Sequence, residues 1–195
     1  MQSILIATAN KGKAREFQEM IGHAWRVMTL KDLPQVPDIV EDGKTFEANA
    51  VKKALALVPH FDGPILADDS GLEVDALGGA PGVYSARYAG EHGNDAANNL
   101  KLLEMLKDVA APNRGAQFHC VLAWVEEGTV KGIFNGICRG TILHAPRGAN
   151  GFGYDPLFQP EGLDRTMAEL SPDEKHALSH RGKAMKKAVE ELNRR

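Results

Sequence analysis

The sequence predicts an α/β protein built on a mixed sheet flanked by helices. Three observations carry this. Short apolar runs at residues 3–8, 64–70 and 117–125 have strand character, and between them lie segments whose apolar residues recur at helical spacing. The two kinds do not alternate strictly, as a wholly parallel sheet with crossover helices would require. A chain of 195 residues, 43% hydrophobic and 25% charged, suits one domain or two lobes sharing one core.

Taken in order, "SILIAT" (residues 3–8) reads as a short buried strand, and residues 11–21 as a helix with Ala14, Phe17 and Ile21 on one face. Residues 30–45, "LKDLPQVPDIVEDGKT", carry two prolines and a glycine and read as strand ends and loop. Thr45 can cap a helix running to about Val58, because its hydroxyl can accept an amide of the first turn. Phe46, Val51, Ala54, Leu55 and Val58 are expected as the buried stripe of that helix. "PILADDS" (64–70) is a second short strand ending in two carboxylates, followed by "GLEVDALGGAPGVYSARYAG", too rich in turn residues for more than short strands. Residues 94–106 form a helix with Leu100, Leu103 and Leu106 on one face. Residues 117–125 and 130–143 read as strands joined by the turn "EEGT". "APRGANGFGYDPLF" is a turn-rich loop. Ser171 and Glu174 then make a capping box, with Pro172 at the first helical position. Ser179 is expected to restart a helix, with Gly182 marking a break.

A net charge of -3 argues against non-specific binding to nucleic acid or to an anionic membrane, so an anionic ligand must be held by local cations and backbone amides. No segment approaches the ~20 apolar residues of a membrane span, and "MQSILIATANKGK" does not read as a secretory leader. Cys120 and Cys138 sit in apolar surroundings at a spacing that fits no zinc pattern, and reduced core cysteines in a cytoplasmic protein are expected.

The stretch "IATANKGKAREF" resembles a phosphate loop but is not one. A Walker A loop would need glycine where Ala7 stands and a hydroxyl where Ala14 stands. The strand still delivers Thr8 and Asn10 to the mouth of a helix whose amides and dipole favour an anion, and Lys13 adds a full charge. The alternative is a plain helix start with solvated lysines. In "ADDSG", Asp68 and Asp69 should point to opposite faces of a strand and so do different work. One can bind Mg²⁺ or activate water while the other braces the loop, the alternative being a turn made by Asp69 and Ser70. Asn49 and Lys53, four apart, share a helix face. "GFGYDP" combines backbone freedom, aromatics and an acid, which suits stacking against a flat base or, equally, a tight packed loop. His180 and Arg181, near a helix start, can donate to ligand carbonyls or, alternatively, belong to a surface cap.

These stretches together resemble the inosine triphosphate pyrophosphatase family, the dITP/XTP pyrophosphatases. The motifs run from "IATANKGK" through "FEANAVKKA", "LADDSGLEVDALGGAPGVYSARYAG" and "GFGYDPLF" to "ELSPDEKHALSHRGKA", in the family's order over nearly the whole chain. The resemblance implies a single ITPase-like domain over residues 1–195, an elongated mixed sheet with two lobes and a central cleft, a homodimer, and Mg²⁺ as cofactor. It implies hydrolysis of ITP, dITP and XTP to the monophosphate and pyrophosphate. By the same resemblance Thr8, Asn10 and Lys13, with Ala9, Lys11 and Gly12 between them, are the triphosphate grip, and Lys53 a second phosphate contact. Glu41 and Asp69 resemble the metal ligands, and Asp69 also the general base, with Asp68 beside it. Ser70 resembles a substrate contact; Phe152, Gly153, Tyr154 and Asp155 the wall bordering base and sugar; Lys175, His180 and Arg181 the base-recognition set.

The chain departs from the family pattern in two places. Ala9 stands where glycine is usual, so its backbone should avoid positive φ. Val40 leaves Glu41 as the natural acid of its loop, with Asp42 as the alternative. Hypoxanthine and xanthine carry a C6 carbonyl where adenine carries an amino group, so donors such as His180 and Arg181 would favour the former. Two other functions fit parts of the pattern: a triphosphatase releasing orthophosphate, and a nucleotide-binding regulator without turnover. The acids Glu41, Asp68 and Asp69 weigh against the second.

Overall fold

The computed structural model describes residues 2–194. The chain divides into two compact units. The first comprises the chain up to Asp69, Cys120–Gly136 and the chain from Arg181 on; the second comprises Ser70–His119 and Ile137–His180. One sheet carries the order β2-β1-β3-β4-β5-β6. Its strands are β1 Gln2–Ala7, β2 Trp25–Thr29, β3 Ile65–Val74, β4 Gly115–Glu126, β5 Thr129–Ile142 and β6 Phe158–Pro160. β1 pairs in parallel with β2 and with β3, whereas β5 and β6 are antiparallel, so the sheet is mixed as expected. β4 and β5 are joined through Glu127 and Gly128, both at positive φ (52 and 71°), which matches the right-handed twist of a tight hairpin. Among the described residues no helix is long and apolar enough to cross a membrane.

In the first unit, α1 (Lys11–Met20) places Phe17 in a core that also holds Ile4 and Ile6 of β1, Trp25, Leu66, Leu122, Trp124 and Met185. Burying a side chain such as Phe17 contributes about 1.5–3 kcal/mol, so this face fixes where the start of α1 lies. α2 (Phe46–Ala56) begins as predicted, with the Thr45 hydroxyl accepting from the Ala48 amide at 3.1 Å. Its buried face differs from the expected one. Phe46, Asn49, Ala50, Lys53 and Ala54 are buried, while Leu55 is exposed and Val51 only half-buried. A reading that places only apolar residues inward rotates the helix away from Asn49 and Lys53, which are buried because they meet polar partners. α5 (His180–Leu192) contains Gly182 within its first turn; the helix break falls instead at Ser179, whose backbone is extended.

The second unit has its own core of Leu72, Val74, Leu102, Leu106, Phe118, Tyr154, Phe158 and Met167. α3 (Asp95–Met105) is capped by Asn94 and buries Asn98 and Leu102, with Leu106 at its C-cap; Leu100 faces solvent. Leu100 was expected on the buried face, but a spacing of four from Asn98 through Leu102 to Leu106 defines that face instead. β3 runs on through Gly71 to Val74, and the glycine-rich stretch after it forms 3₁₀ turns over Asp75–Leu77 and Gly82–Arg87 rather than short strands. α4 (Pro172–Leu178) opens on the predicted capping box, Ser171 with Glu174. Cys120 lies in the first core and Cys138 in the second, both buried and neither in a disulfide.

Candidate functional site

In the first unit β1 ends at Ala7 and the chain turns directly into α1. The Thr8 hydroxyl accepts from the Asn10 amide at 3.1 Å, and Asn10 caps α1 by accepting from the Lys13 amide at 3.0 Å. The amides of Lys11 and Gly12, in the first turn, have no intrahelical acceptor by geometry, so they remain available to an anion. Ala9 is exposed and keeps out of the left-handed region, as its methyl requires.

The Lys13 side chain turns back to the Asp68 carboxylate, which is 1% exposed. The other oxygen of Asp68 accepts from Arg181 Nε at 3.2 Å and from the Cys120 thiol at 3.3 Å. Arg181 in turn donates through Nη1 to Glu16 at 2.5 Å. Two cations and two carboxylates thus alternate in a buried chain. Burial pushes the Asp68 carboxyl up, but the charges of Lys13 and Arg181 outweigh it and hold it well below the usual range. Burial likewise pulls Arg181 down, and Asp68 and Glu16 more than restore it. The Cys120 thiol is pushed up by burial and by Asp68, so it stays protonated and serves as a donor.

Asp69 has the opposite electrostatics. It is 6% exposed and accepts from Asn49 Nδ2 at 2.9 Å. Burial pushes its carboxyl up to about 6, against the pull of Lys53, Lys13 and the Asn49 bond, with Glu41 adding to the rise. Adjacent carboxylates with pKa values driven apart are the mark of divided acid–base work. Asn49 also accepts from the Gly43 amide at 2.7 Å, tying the loop that carries Glu41 to α2. Lys53 donates to the Asp68 carbonyl at 2.9 Å and pairs with Glu41 at 3.0 Å, whereas Asp42 pairs with the exposed Lys52.

Among the described residues no three His, Cys, Asp or Glu side chains gather as a metal site. A cation here would therefore rest on Glu41 and Asp69 and on oxygens of the ligand. That donor set fits a hard divalent ion that keeps part of its water shell, and the desolvated charge of Asp69 favours one.

In the second unit Asp155, 3% exposed, organises the expected aromatic loop. Its Oδ2 accepts from the Phe152 amide at 3.0 Å and from Lys175 Nζ at 2.6 Å. The Lys175 ammonium also lies 4.6 Å from the centre of the Phe152 ring. Tyr154 points into the core and donates its hydroxyl to the Ser85 carbonyl at 2.7 Å; burial holds that hydroxyl protonated. The His180 ring stacks on Phe118 at 4.7 Å and 11°. Ser70 is half-buried on β3.

The structure therefore brings Thr8, Asn10, Lys13, Glu41, Lys53, Asp69 and Arg181 into the first unit and Ser70, Phe152–Asp155, Lys175 and His180 into the second. Arg181, expected to face a base, spends Nε and Nη1 on Asp68 and Glu16. Glu16, Cys120, Asp95 and Asn99 take polar roles that the sequence reading did not assign. Only Glu16 left a signal, as an acid beside Phe17 on the apolar edge of α1, where burial demands a cation. Asp95 and Asn99 bond to the backbone of Gly153 from a distant helix.

The chain is similar to known proteins over nearly its whole length. Residues 4–191 match the family profile described as the Ham1 family. The dITP/XTP pyrophosphatase of Geobacillus kaustophilus is 50% identical over 192 residues, 98% of this chain and 94% of that protein. The dITP/XTP pyrophosphatase of Geobacter sulfurreducens is 50% identical over 186 residues, 95% of this chain and 94% of that protein. Two solved structures share the fold. The Staphylococcus aureus Ham1 protein has a TM-score of 0.86 and 42% identity, with 98% of each chain covered. The HAM1 protein of Coxiella burnetii has a TM-score of 0.87 and 41% identity, with 100% of each covered. The family match and these likenesses span nearly the whole chain, and the chain belongs to the Ham1 family.

Proposed function

We propose that this protein hydrolyses the non-standard purine nucleoside triphosphates dITP, ITP and XTP to the monophosphate and pyrophosphate, and so clears them from the cytoplasmic nucleotide pool. The observation that carries this is Asp69: a buried carboxylate raised to about 6, oriented by Asn49, and adjoining the cations Lys13 and Lys53. In the metal-free protein a carboxylate of that strength is ionised at neutral pH and can accept a proton from water. Its relatives, the dITP/XTP pyrophosphatases, supply the substrate class.

In this reading the amides of Lys11 and Gly12 and the side chains of Thr8, Asn10, Lys13 and Lys53 bind the triphosphate, and Ala9 lets its backbone approach. Asp69 orients and deprotonates the water that attacks the α-phosphorus. Asp68, saturated by Lys13 and Arg181, stays ionised and aims Lys13 rather than taking a proton. Glu41 and Asp69 would hold Mg²⁺. When bound, Mg²⁺ neutralises phosphate charge and stabilises the leaving pyrophosphate. Phe152 and Gly153 border the base, Tyr154 stiffens that wall from the core, and Asp155 holds it to Lys175. Ser70 contacts substrate. Lys175, His180 and Arg181 donate to the base; a guanidinium carries five N–H donors, so two carboxylate bonds do not exhaust Arg181. The protein works as a homodimer, and light scattering on a size-exclusion column tests that part.

The deciding experiment incubates ITP with the protein and Mg²⁺ and measures the phosphate product. Pyrophosphate with IMP supports the reading; orthophosphate with IDP, or no turnover, overturns it.

A further inference from the structure

The loop that carries Phe152 and Asp155 turns at Gly153, whose φ is +61°. Both backbone groups of Gly153 are held by one helix. Its N–H donates to Asp95 Oδ2 at 2.7 Å, and its carbonyl accepts from Asn99 Nδ2 at 2.9 Å. Asp95 and Asn99 are four apart on α3 and so lie on one face. The N–H belongs to the peptide plane leading out of Phe152, and the carbonyl to the plane leading into Tyr154. Because each peptide is rigid, holding these two atoms restrains both planes, and with them the backbone from which the Phe152 side chain projects.

The same loop is tied on its other side by Asp155 and Lys175. Those bonds, with the Asp155 amide donating to the Phe152 carbonyl at 3.2 Å, close the turn and keep Phe152 beside the Lys175 ammonium, but none of them holds a backbone group of Gly153. Asp95 and Asn99 hold both of those groups.

Asn99 also bears a cost that packing does not explain. Its side-chain carbonyl is buried and accepts no hydrogen bond from any described residue. An apolar side chain of similar volume would avoid an unsatisfied acceptor. What Asn99 provides in exchange is the single bond to the Gly153 carbonyl.

We infer that Asp95 and Asn99 are positioning residues that set the base selectivity of this protein by clamping both peptide groups of Gly153. The inference rests on the reading of Phe152, Asp155 and Lys175 as the wall that meets the base.

The test is steady-state kinetics with ITP and ATP on four full-length variants, with urea unfolding of each. Asp95→Ala removes the acceptor and the charge, whereas Asp95→Asn removes the charge but keeps an oxygen facing Gly153. Asp95→Ala is expected to raise KM for ITP about tenfold, the scale of one lost hydrogen bond, with kcat nearly unchanged. It should lower the ITP-to-ATP ratio of kcat/KM to match, and Asp95→Asn should restore both. Asn99→Leu is expected to raise KM likewise while its unfolding midpoint stays at or above that of the parent. Unchanged KM and ratio in Asp95→Ala, or Asp95→Asn as impaired as Asp95→Ala, would overturn the inference. So would a fall in the unfolding midpoint of Asn99→Leu with no change in KM. Lys175→Met separates the two layers of argument. If it raises KM for ITP while Asp95→Ala does not, the clamp is wrong and the wall stands; if it leaves KM and ratio unchanged, the wall itself is wrong.

Discussion

Asp68 and Arg181 lie 113 residues apart in the chain and meet through a 3.2 Å hydrogen bond from Nε, with side-chain exposures of 0% and 2%. Such a pair contributes little beyond an apolar substitute of the same shape, but removing one member strands the other. Arg181→Met leaves Asp68 and Glu16 both buried with one cation fewer. The expected loss is about 3–5 kcal/mol in unfolding free energy. Urea titration measures it, and a loss under about 1 kcal/mol would mean that water or Lys13 alone can compensate the two acids.

Asp69 has a different stability sign. Its folded carboxyl is raised to about 6, whereas an unfolded aspartate titrates near ~3.9. Between those values the folded state binds more protons than the unfolded one. In the metal-free protein stability therefore falls as pH rises from about 4 to about 6 and stays reduced above that. A rise of that size corresponds to at most about 3 kcal/mol. Asp69→Asn, whose side-chain oxygen can still accept from Asn49, should abolish turnover while raising the urea midpoint at pH 8 in chelator. At pH 4 the two proteins should unfold alike. A variant that retains activity removes Asp69 from the chemistry. One no more stable at pH 8 than the parent contradicts the raised pKa.

Local chemistry made much of this legible. The strand, the Asn10 turn and the start of α1 follow from one apolar run meeting a polar one, and the Ser171 capping box forms as read. The buried stripes failed where polar groups meet polar partners inside. Asn49 and Lys53 take the inner face of α2 because Gly43, Asp69, Glu41 and the Asp68 carbonyl await them, and no pattern of hydrophobicity contains those partners. Asn98 does the same on α3, donating to the Ala86 carbonyl and accepting from the Ala89 amide. The Glu16–Arg181 and Asp95–Gly153 contacts join residues far apart in sequence, and such pairings are set by the packed fold rather than by spacing. The parallel strand β2 escaped notice because its residues alternate too little to declare a buried face.

Asn49 joins two parts of the first unit, and its replacement separates two effects. Asn49→Ala removes the donor to Asp69 and both bonds to Gly43. Loss of the Asp69 bond leaves the carboxylate less well aimed, for which a fall in kcat of about tenfold or more is expected. Gly43→Ala reaches the same bond from the other side, since a Cβ there would collide with the Asn49 amide oxygen. It should lower kcat in the same direction while leaving Asp69 and Asn49 chemically intact. Steady-state rates at saturating ITP measure both. If Gly43→Ala matches the parent, the loop yields and the Asn49 orientation does not depend on it.

Gly151 makes the corresponding test in the second unit. It sits at φ +74°, and a Cβ would overlap the Asp155 carboxylate. Gly151→Ala therefore carries backbone strain and drives Asp155 from its place. Asp155 is the acceptor for both the Phe152 amide and Lys175, so a displaced carboxylate releases the loop and the ammonium together. The residues proposed to bind phosphate, and Asp69, belong to the other unit. The expected outcome is a rise of tenfold or more in KM for ITP, the order of two weakened hydrogen bonds, with kcat at saturation changed far less. Asp155→Asn supplies the complement: it keeps an acceptor for Phe152 but removes the charge opposite Lys175, so its KM should fall between those of Gly151→Ala and the parent. Thermal melts run alongside distinguish a local effect from unfolding. A folded Gly151→Ala protein with the parent's KM would show that the order imposed by Asp155 is not what the base requires.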